Sequence, residues 1–368
     1  MISPLVTVFV PSFNRADTIE DLIKSYMLQD FNDSELLIID DCVEDYSVSI
    51  VVNSYVKRDP RIRFIKNKTN LGFAGNVRKG LAEAKGRYIL MLGDDDVFAS
   101  SSAVGRYVSH FEQNSDVAFI YSNIVQCDIS LNIDFSFQIS ALPKLFDPGL
   151  SSLENAWLMS CYIPGIGLRN ESSLIDLYPK EDCLFPQVEL VGRILLKSSA
   201  MLTGEYLFAG RAHPNQLGFK SLKRKVNPNN ERHSVVELPT IAKRIACYAK
   251  REFDMDLEAS LTRTVNSFFR RSHATIFPTE KANCGNRQIL HTFFTAVQND
   301  MTALTDIRFI SYFLISFILP SRILLPMKEF RKRQIYNRQH ATRRDDCNQF
   351  LAALREWPPA TKDLDTRS

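Results

Sequence analysis

The sequence has no CxxC pair: its seven cysteines (Cys42, Cys127, Cys161, Cys183, Cys247, Cys284 and Cys347) stand singly along 368 residues. An odd, dispersed set argues against a zinc site and a disulfide framework, and points to reduced thiols in a cytoplasmic protein. A basic leader with a cleavage site is also missing, because the chain enters an apolar, β-branched run at Leu5; no signal peptide is expected. Net charge is only +3, which by itself gives no reason to expect a nucleic acid partner. The most apolar stretch, Phe309 to Leu319, is eleven residues long, whereas a membrane-spanning helix needs about 20. The first apolar run is not followed by GxGxxG, which argues against an NAD-type domain, and GxxxxGK[ST] is absent, which excludes a P-loop.

Hydrophobic residues make up 45% and charged residues 24%, enough for a sizeable core and too ordered a mixture for global disorder. The length allows one large domain or a core domain with an appendage. Leu5 to Val10, Glu35 to Ile39, Ile62 to Ile65 and Tyr88 to Leu92 read as strands. Helical patterns separate them: Thr18 to Leu28 with Asp17 as cap, Val48 to Val56, and a segment that ends at Lys85-Gly86. The resulting β-α-β-α-β-α-β order predicts an α/β fold, a mostly parallel central sheet with helices on both faces.

Two of these strands end in acid: Asp40-Asp41 after the second, Asp94-Asp95-Asp96 after the fourth. Ligands of open α/β sheets bind beyond the carboxyl ends of strands. Adjacent carboxylates raise one another's pKa unless something positive lies among them, and a hard divalent cation with oxygen ligands meets that need. The plainer reading is an acidic surface turn before the helix that starts near Ser100.

The stretches Val6 to Arg15 (VTVFVPSFNR), Glu35 to Asp41 (ELLIIDD), Asn70 to Gly86 (NLGFAGNVRKGLAEAKG) and Tyr88 to Asp96 (YILMLGDDD) occur in one order and spacing. Together they resemble the family 2 glycosyltransferases with a GT-A fold, over roughly residues 4 to 215, and most closely the bacterial branch that carries LGDDD and builds O-antigen or capsule sugars. The resemblance implies a nucleotide-binding half (1–98) and an acceptor half (99–215). It places Pro11, Phe13, Asn14 and Arg15 around a nucleotide, with Asn70, Gly72 and Arg78 on the same substrate. Asp40 is implied to accept from the nucleotide base, although an Asp at a strand end also forms local turns. Asp94, Asp95 and Asp96 match the acidic region that holds Mg²⁺ or Mn²⁺ on a sugar-nucleotide diphosphate. Gly93 departs from the pattern, standing where many relatives have a first Asp; Asp95 is then the safest metal ligand, with Asp96 beside it and Asp94 facing substrate. Arg78 rests on Asn76-Val77-Arg78, where many relatives have Ala-Arg-Asn.

An inverting displacement needs a base for the acceptor hydroxyl. Relatives carry Glu-Asp at a helix start and an Arg six residues past the Asp. Arg193 resembles that Arg, but Gln187 occupies the Asp position. Glu189 and Asp182 are the candidate bases; Glu189 also suits a helix first turn as a dipole-compensating residue. His213 follows the last expected strand (203–208), where some relatives place a His on the metal or the diphosphate, and a loop histidine is otherwise simply solvated.

Past His213 the composition shifts. Residues 216–235 read as a basic, Asn-rich linker, 236–357 as a helical region, and 358–368 as a disordered tail. The apolar segment 309–327 precedes Lys328, Arg331, Lys332 and Arg333, a pattern that fits insertion among the headgroups of an anionic membrane. A helix buried against the domain would read the same way. With the resemblance, the expected partners are a nucleotide-sugar donor and a lipid-linked saccharide acceptor, without nucleic acid, at the inner face of a bacterial cell membrane. A nucleotidyl- or phosphoryl-transfer enzyme and a non-catalytic nucleotide-sugar-binding partner of a synthase complex are the rival readings.

Overall fold

The computed structural model describes residues 3–172, 174–181, 183–211, 234–299, 301–327, 330 and 345–357. The apolar runs become strands: β1 (Val6–Ser12), β2 (Ser34–Asp40), β3 (Ile62–Lys66) and β4 (Tyr88–Met91). β1, β2 and β4 are buried at every residue, as strands covered on both faces must be. They pair in parallel in the order β3-β2-β1-β4, joined by α1 (Ile19–Met27), α2 (Ser47–Val56) and α3 (Gly72–Glu83).

The second half makes the sheet mixed. It runs β5 (Val97–Phe98), α4 (Ala103–Gln113), β6 (Val117–Cys127), β7 (Ile133–Phe137), β8 (Lys144–Phe146), α5 (Leu150–Asn155), a 3₁₀ turn (Trp157–Cys161), β9 (Ile166–Arg169), α6 (Leu174–Leu177), α7 (Pro186–Ile194) and β10 (Ser199–Arg211). β9 lies antiparallel between β4 and β6, and β10 continues parallel to β6. Residues 127–139 alternate polar and apolar, the period expected of one long half-exposed strand, but they do not form one. Asp128 accepts backbone N–H bonds from Ser130 and Asn132, and this turn folds the alternation into a β6–β7 hairpin.

Side-chain alternation along the strands divides the core into two faces. Val6, Val8 and Val10 pack with Leu22, Ile23, Tyr107 and Phe111 from α1 and α4. Phe9, Leu37 and Ile89 belong to the opposite cluster, which runs through Trp157 and Val188.

That second cluster continues past residue 215. Ile241 and Ile245 of α8 (Ser234–Phe253) and Leu261 and Val265 of α9 (Glu258–Cys284) are members of it. The expected domain boundary is therefore not a boundary of the core. Residues 216–233 of the expected linker and the tail 358–368 lie outside the described residues. Downstream, α10 (Asn286–Asn299), a 3₁₀ turn (Met301–Thr305) and α11 (Ile307–Ile318) enclose a small aromatic cluster in which Phe293 stacks on Phe309 and Phe313. The last helix, α12 (Asp345–Glu356), returns to the sheet, where Cys347, Leu351 and Leu354 pack with Val97, Val125 and Tyr206.

Leu351 and Leu354 are each 1% exposed. Leu351→Ala is expected to cost about 2–5 kcal/mol, the range for emptying a buried leucine site. Urea denaturation followed by circular dichroism measures it; an unchanged midpoint would mean that α12 is not docked in solution.

Candidate active site

β1 has β2 on one side and β4 on the other, so this is a point where the strand order reverses and a crevice opens at the carboxyl ends. Two segments meet there: residues 11–18 leaving β1, and the acidic turn 93–96 leaving β4. They are tied at several atoms. The Phe13 N–H donates to Asp94 Oδ2 (2.9 Å), and Thr18 Oγ1 donates to the Asp94 carbonyl (2.9 Å). The Arg15 guanidinium lies 3.8 Å from Asp94 Oδ1 and 3.8 Å from Asp95 Oδ2. Arg15 is 5% exposed, so this pairing is screened little by water. Asn14 adopts a left-handed backbone (φ 55°), which turns the chain between Phe13 and Arg15.

Within the acidic turn the three carboxylates differ. Asp96 is 4% exposed; its Oδ2 accepts from the Gly93 N–H (3.0 Å) and its Oδ1 from the Arg211 N–H (3.3 Å). Asp96, expected as a metal ligand, also holds the turn and joins it to the end of β10. A Cβ on Gly93 would lie 2.6 Å from Asp96 Oδ2, so the glycine is what lets this carboxylate fold back. Burial, and then the Asp95 charge, push the Asp94 carboxyl up to about 7, against the Phe13 N–H and Arg15. Burial and Asp95 likewise raise Asp96 well above the usual carboxylate range. Asp94 and Asp95 are the two carboxylates of the turn that remain partly exposed. A Mg²⁺ or Mn²⁺ ion fits this set of hard oxygen donors with its excess of negative charge. Among the described residues, no three His, Cys, Asp or Glu side chains form a group that could hold a metal alone. An ion here would take further ligands from elsewhere, as Mg²⁺ does from waters and phosphates.

Across the crevice, Asp40 is fully buried, with Oδ1 accepting from the Cys42 N–H (3.0 Å) and Oδ2 from Lys66 Nζ (3.0 Å). Expected to meet a nucleotide base, it forms the local turn and anchors the end of β3 in this structure. Asp41 Oδ1 accepts from Asn67 Nδ2 (2.8 Å) and the Leu71 N–H (2.7 Å), which fixes the loop before α3. In that loop Asn70 is exposed and accepts from the Gly72 N–H, and Gly72 takes φ +71°. Pro11 is buried in β1, opposite Ile39.

Arg78 lies on the exposed face of α3. Its neighbours reach inward: Lys79 Nζ donates to Asn67 Oδ1 (2.7 Å), and Asn76 bonds both Asn67 and the Ile39 carbonyl. These residues and Tyr162 were not singled out by the sequence reading. A Cβ on Gly210 would lie 2.0 Å from the Tyr162 hydroxyl, so the ring packs directly on β10 beside the acidic turn. Burial, then Asp96, raises that phenol well above its ordinary value.

Glu189, one of the two candidate bases, has partners within the chain. It is fully buried on α7, one oxygen accepting from Arg193 Nη2 and the other from Arg244 Nε of α8 (2.7 Å). Both carboxylate oxygens are thus occupied by guanidinium groups of the chain. Arg193, expected on substrate, spends its other contacts on the Leu177 carbonyl and the face of Tyr248. Gln187 is buried and donates to the Ser160 carbonyl. Asp182 and His213 lie outside the described residues. Removing the acid leaves two guanidinium groups unpaired, so Glu189→Ala is expected to cost about 3–5 kcal/mol. Thermal denaturation measures this; a stable, inactive variant would return Glu189 to a role in chemistry.

Residues 7–160 match the sequence model of glycosyl transferase family 2. Over 135 residues the chain is 34% identical to a GalNAc(5)-diNAcBac-PP-undecaprenol beta-1,3-glucosyltransferase of Campylobacter jejuni, covering 36% of this chain and 42% of that protein. The chain spans less than half the length of the first curated relatives it matches. Among solved structures, residues 1–349 of Staphylococcus aureus TarS in complex with UDP-GlcNAc superpose with a TM-score of 0.56 at 16% identity, over 90% of this chain and 92% of that one. The mannosyltransferase PcManGT of Pyrobaculum calidifontis, in complex with GDP-Man and Mn²⁺, gives 0.50 at 14% identity, over 100% and 89%. At such identities the likeness is one of fold. Residues 7–160 of this chain belong to glycosyl transferase family 2, and the fold that carries them is GT-A.

Proposed function

We propose that the chain is a metal-dependent glycosyltransferase that moves a sugar, with inversion, from a nucleotide-sugar donor to a hydroxyl of a lipid-linked saccharide in surface polysaccharide synthesis. The observation that carries this reading is the clamping of residues 13–18 onto Asp94 and Asp95 at the switch point of the sheet. Departure of the nucleoside diphosphate leaves negative charge, and Mg²⁺ or Mn²⁺ bound by Asp95 and Asp94 would stabilise it. Arg15 places a fixed positive charge beside those carboxylates, and Phe13 orients Asp94 through its backbone. With Glu189 engaged elsewhere, Asp182, four residues before α7, is the carboxylate of this stretch assigned to the acceptor proton. The acceptor class follows the Campylobacter relative, whose name gives a substrate on PP-undecaprenol.

Gln187 at the expected base position and the buried Glu189 favour one rival, a nucleotide-sugar-binding protein without turnover. Wild type and Asp182→Asn, compared in a transfer assay with donor and acceptor, separate the two. Binding of donor without turnover by the wild type would favour the rival.

For the donor site, titration calorimetry with a panel of nucleotide sugars, with Mn²⁺ and then with EDTA, is the direct measurement. One nucleotide sugar is expected to bind with Mn²⁺ and to weaken at least tenfold in EDTA and in Asp95→Ala. Metal-independent binding, or none with any donor, would sink the mechanism.

Peripheral attachment to an anionic membrane rests on the far helices. No helix among the described residues is long and apolar enough to cross a bilayer. Ile307 and Ile318 of α11 are 78% and 71% exposed, and Ile323, Met327 and Phe330 extend the apolar surface toward the basic residues that follow. Sedimentation with vesicles of phosphatidylglycerol and phosphatidylethanolamine is expected to carry the protein down, and Ile307→Glu with Ile318→Glu to release it. Equal sedimentation of both proteins would locate any contact elsewhere.

A further inference from the structure

Residues 67–87 join β3 to β4 and carry α3. They include five basic residues (Lys68, Arg78, Lys79, Lys85 and Arg87) and one acid, Glu83. Glu83 is half-buried and pairs with Arg63 (3.3 Å). Lys79 turns inward to Asn67, and Arg87 pairs with Glu112 (3.1 Å). Lys68, Arg78 and Lys85 are left exposed, with no exposed acid anywhere in 67–87. Leu71, Arg78, Ala82 and Lys85 are all exposed and recur at helical spacing, so they line one face of α3. The tip of that face is apolar: Leu71 is 43% exposed and Phe73 is 40% exposed. The tip also lies where the crevice opens. The Leu71 N–H donates to Asp41, just past β2, and Tyr178 Oη reaches the Ala74 carbonyl (2.7 Å) from the segment that follows α6.

We infer that this face of α3 rests on an anionic membrane surface, with Leu71 and Phe73 among the headgroups and Lys68, Arg78 and Lys85 on their phosphates. The inference rests on the membrane reading above and adds to it a contact at the rim of the crevice itself. Charge complementarity carries it. Three exposed cations without an exposed acid match a layer of anionic lipid, and the apolar tip gains burial there that a soluble polyanion would not give. Long lysine and arginine stems lie along such an interface while their charged ends meet phosphate. The position of the tip gives the contact a use. A lipid-linked saccharide is held in the bilayer by its chain, so its sugar reaches the crevice only when the rim is close to the headgroups. Attachment through α11 alone leaves the direction of the crevice free. A second contact, on α3, sets it.

Vesicle binding by the full chain tests this, with binding of UDP and GDP in the presence of Mn²⁺ measured beside it. Wild type and a double variant, Lys68→Glu with Lys85→Glu, would be sedimented with vesicles of phosphatidylglycerol and phosphatidylethanolamine, and with phosphatidylcholine alone. Wild type is expected to bind the anionic vesicles and to leave the neutral ones. Each basic residue near an anionic surface contributes about fivefold, so the double charge reversal should weaken binding at least tenfold. Phe73→Trp gives a second reading that does not depend on the double variant folding. Its added emission should be quenched by anionic vesicles whose lipid tails are brominated near the headgroup. Three results would each overturn the inference and leave the α11 contact standing: equal binding of the double variant and wild type, equal binding of wild type to both vesicles, or unquenched emission from Trp at 73 in a vesicle-bound protein. Loss of nucleotide binding by the double variant, with vesicle binding unchanged, would overturn it by assigning these cations to the donor. Wild type that binds neither vesicle would remove the membrane reading itself, while nucleotide binding reports the donor site separately.

Discussion

Carboxylates crowded at the dry end of a buried strand are the constraint from which the rest of this site follows. Two unit charges about 4 Å apart repel by roughly 4 kcal/mol at the effective dielectric of such places. Among the described residues, fixed dipoles and the Arg15 guanidinium offset that cost. Backbone N–H groups from three separate segments, at Phe13, Gly93 and Arg211, point at Asp94 and Asp96, and Arg15 faces Asp94 and Asp95. Each donor belongs to a different piece of chain. The first loop, the acidic turn and the end of β10 are thereby fastened to one another by the charges they surround.

The same logic separates acids that can serve a ligand from acids that serve the architecture. Asp40, Asp96 and Glu189 each spend both oxygens on groups of the chain, and all three are buried. Asp94 and Asp95 remain partly exposed and face the Arg15 guanidinium. Residue type and position near a strand end do not distinguish the two groups; exposure does. Glu189 shows the consequence. Its clamp between Arg193 and Arg244 ties α7 to α8, and it extends the core across the stretch where the sequence shifts in composition.

Much of the fold was legible because long apolar strands and helical spacing are local signals. β1 to β4, α1 to α4 and the central acidic turn lie within a few residues of where the pattern puts them. The short strands were not legible. β5 has two residues, β8 three and β9 four, too few for any period, and only pairing with β4, β6 and β10 makes them strands. The long alternation over 127–139 misled for the opposite reason: its period continues through a turn whose only sign is Asp128 with Asn132. Site residues followed the same division. The Arg15 contact is a consequence of two strand ends meeting, which strand order permits one to anticipate. The occupation of Glu189 by Arg244 depends on a helix 55 positions away, which no local pattern encodes.

The end of the chain completes the argument about what holds the site. α12 is not apolar enough to announce itself, yet it buries Cys347, Leu351 and Leu354 against Val97 and Tyr206. Val97 directly follows Asp96, so the helix presses on the strand that issues from the acidic turn. Just beyond α12, the Trp357 carbonyl accepts from Lys24 Nζ (3.4 Å) on α1, the helix that begins at the Arg15 loop. One C-terminal element thus braces both segments whose meeting forms the site. The repulsion among Asp94, Asp95 and Asp96 pushes the turn apart, and the packing of α12 on β5 and β10 is among the forces that keep it closed. Phe294 of α10 and Ile307 and Ile318 of α11, by contrast, are apolar residues left exposed and take no part in that bracing.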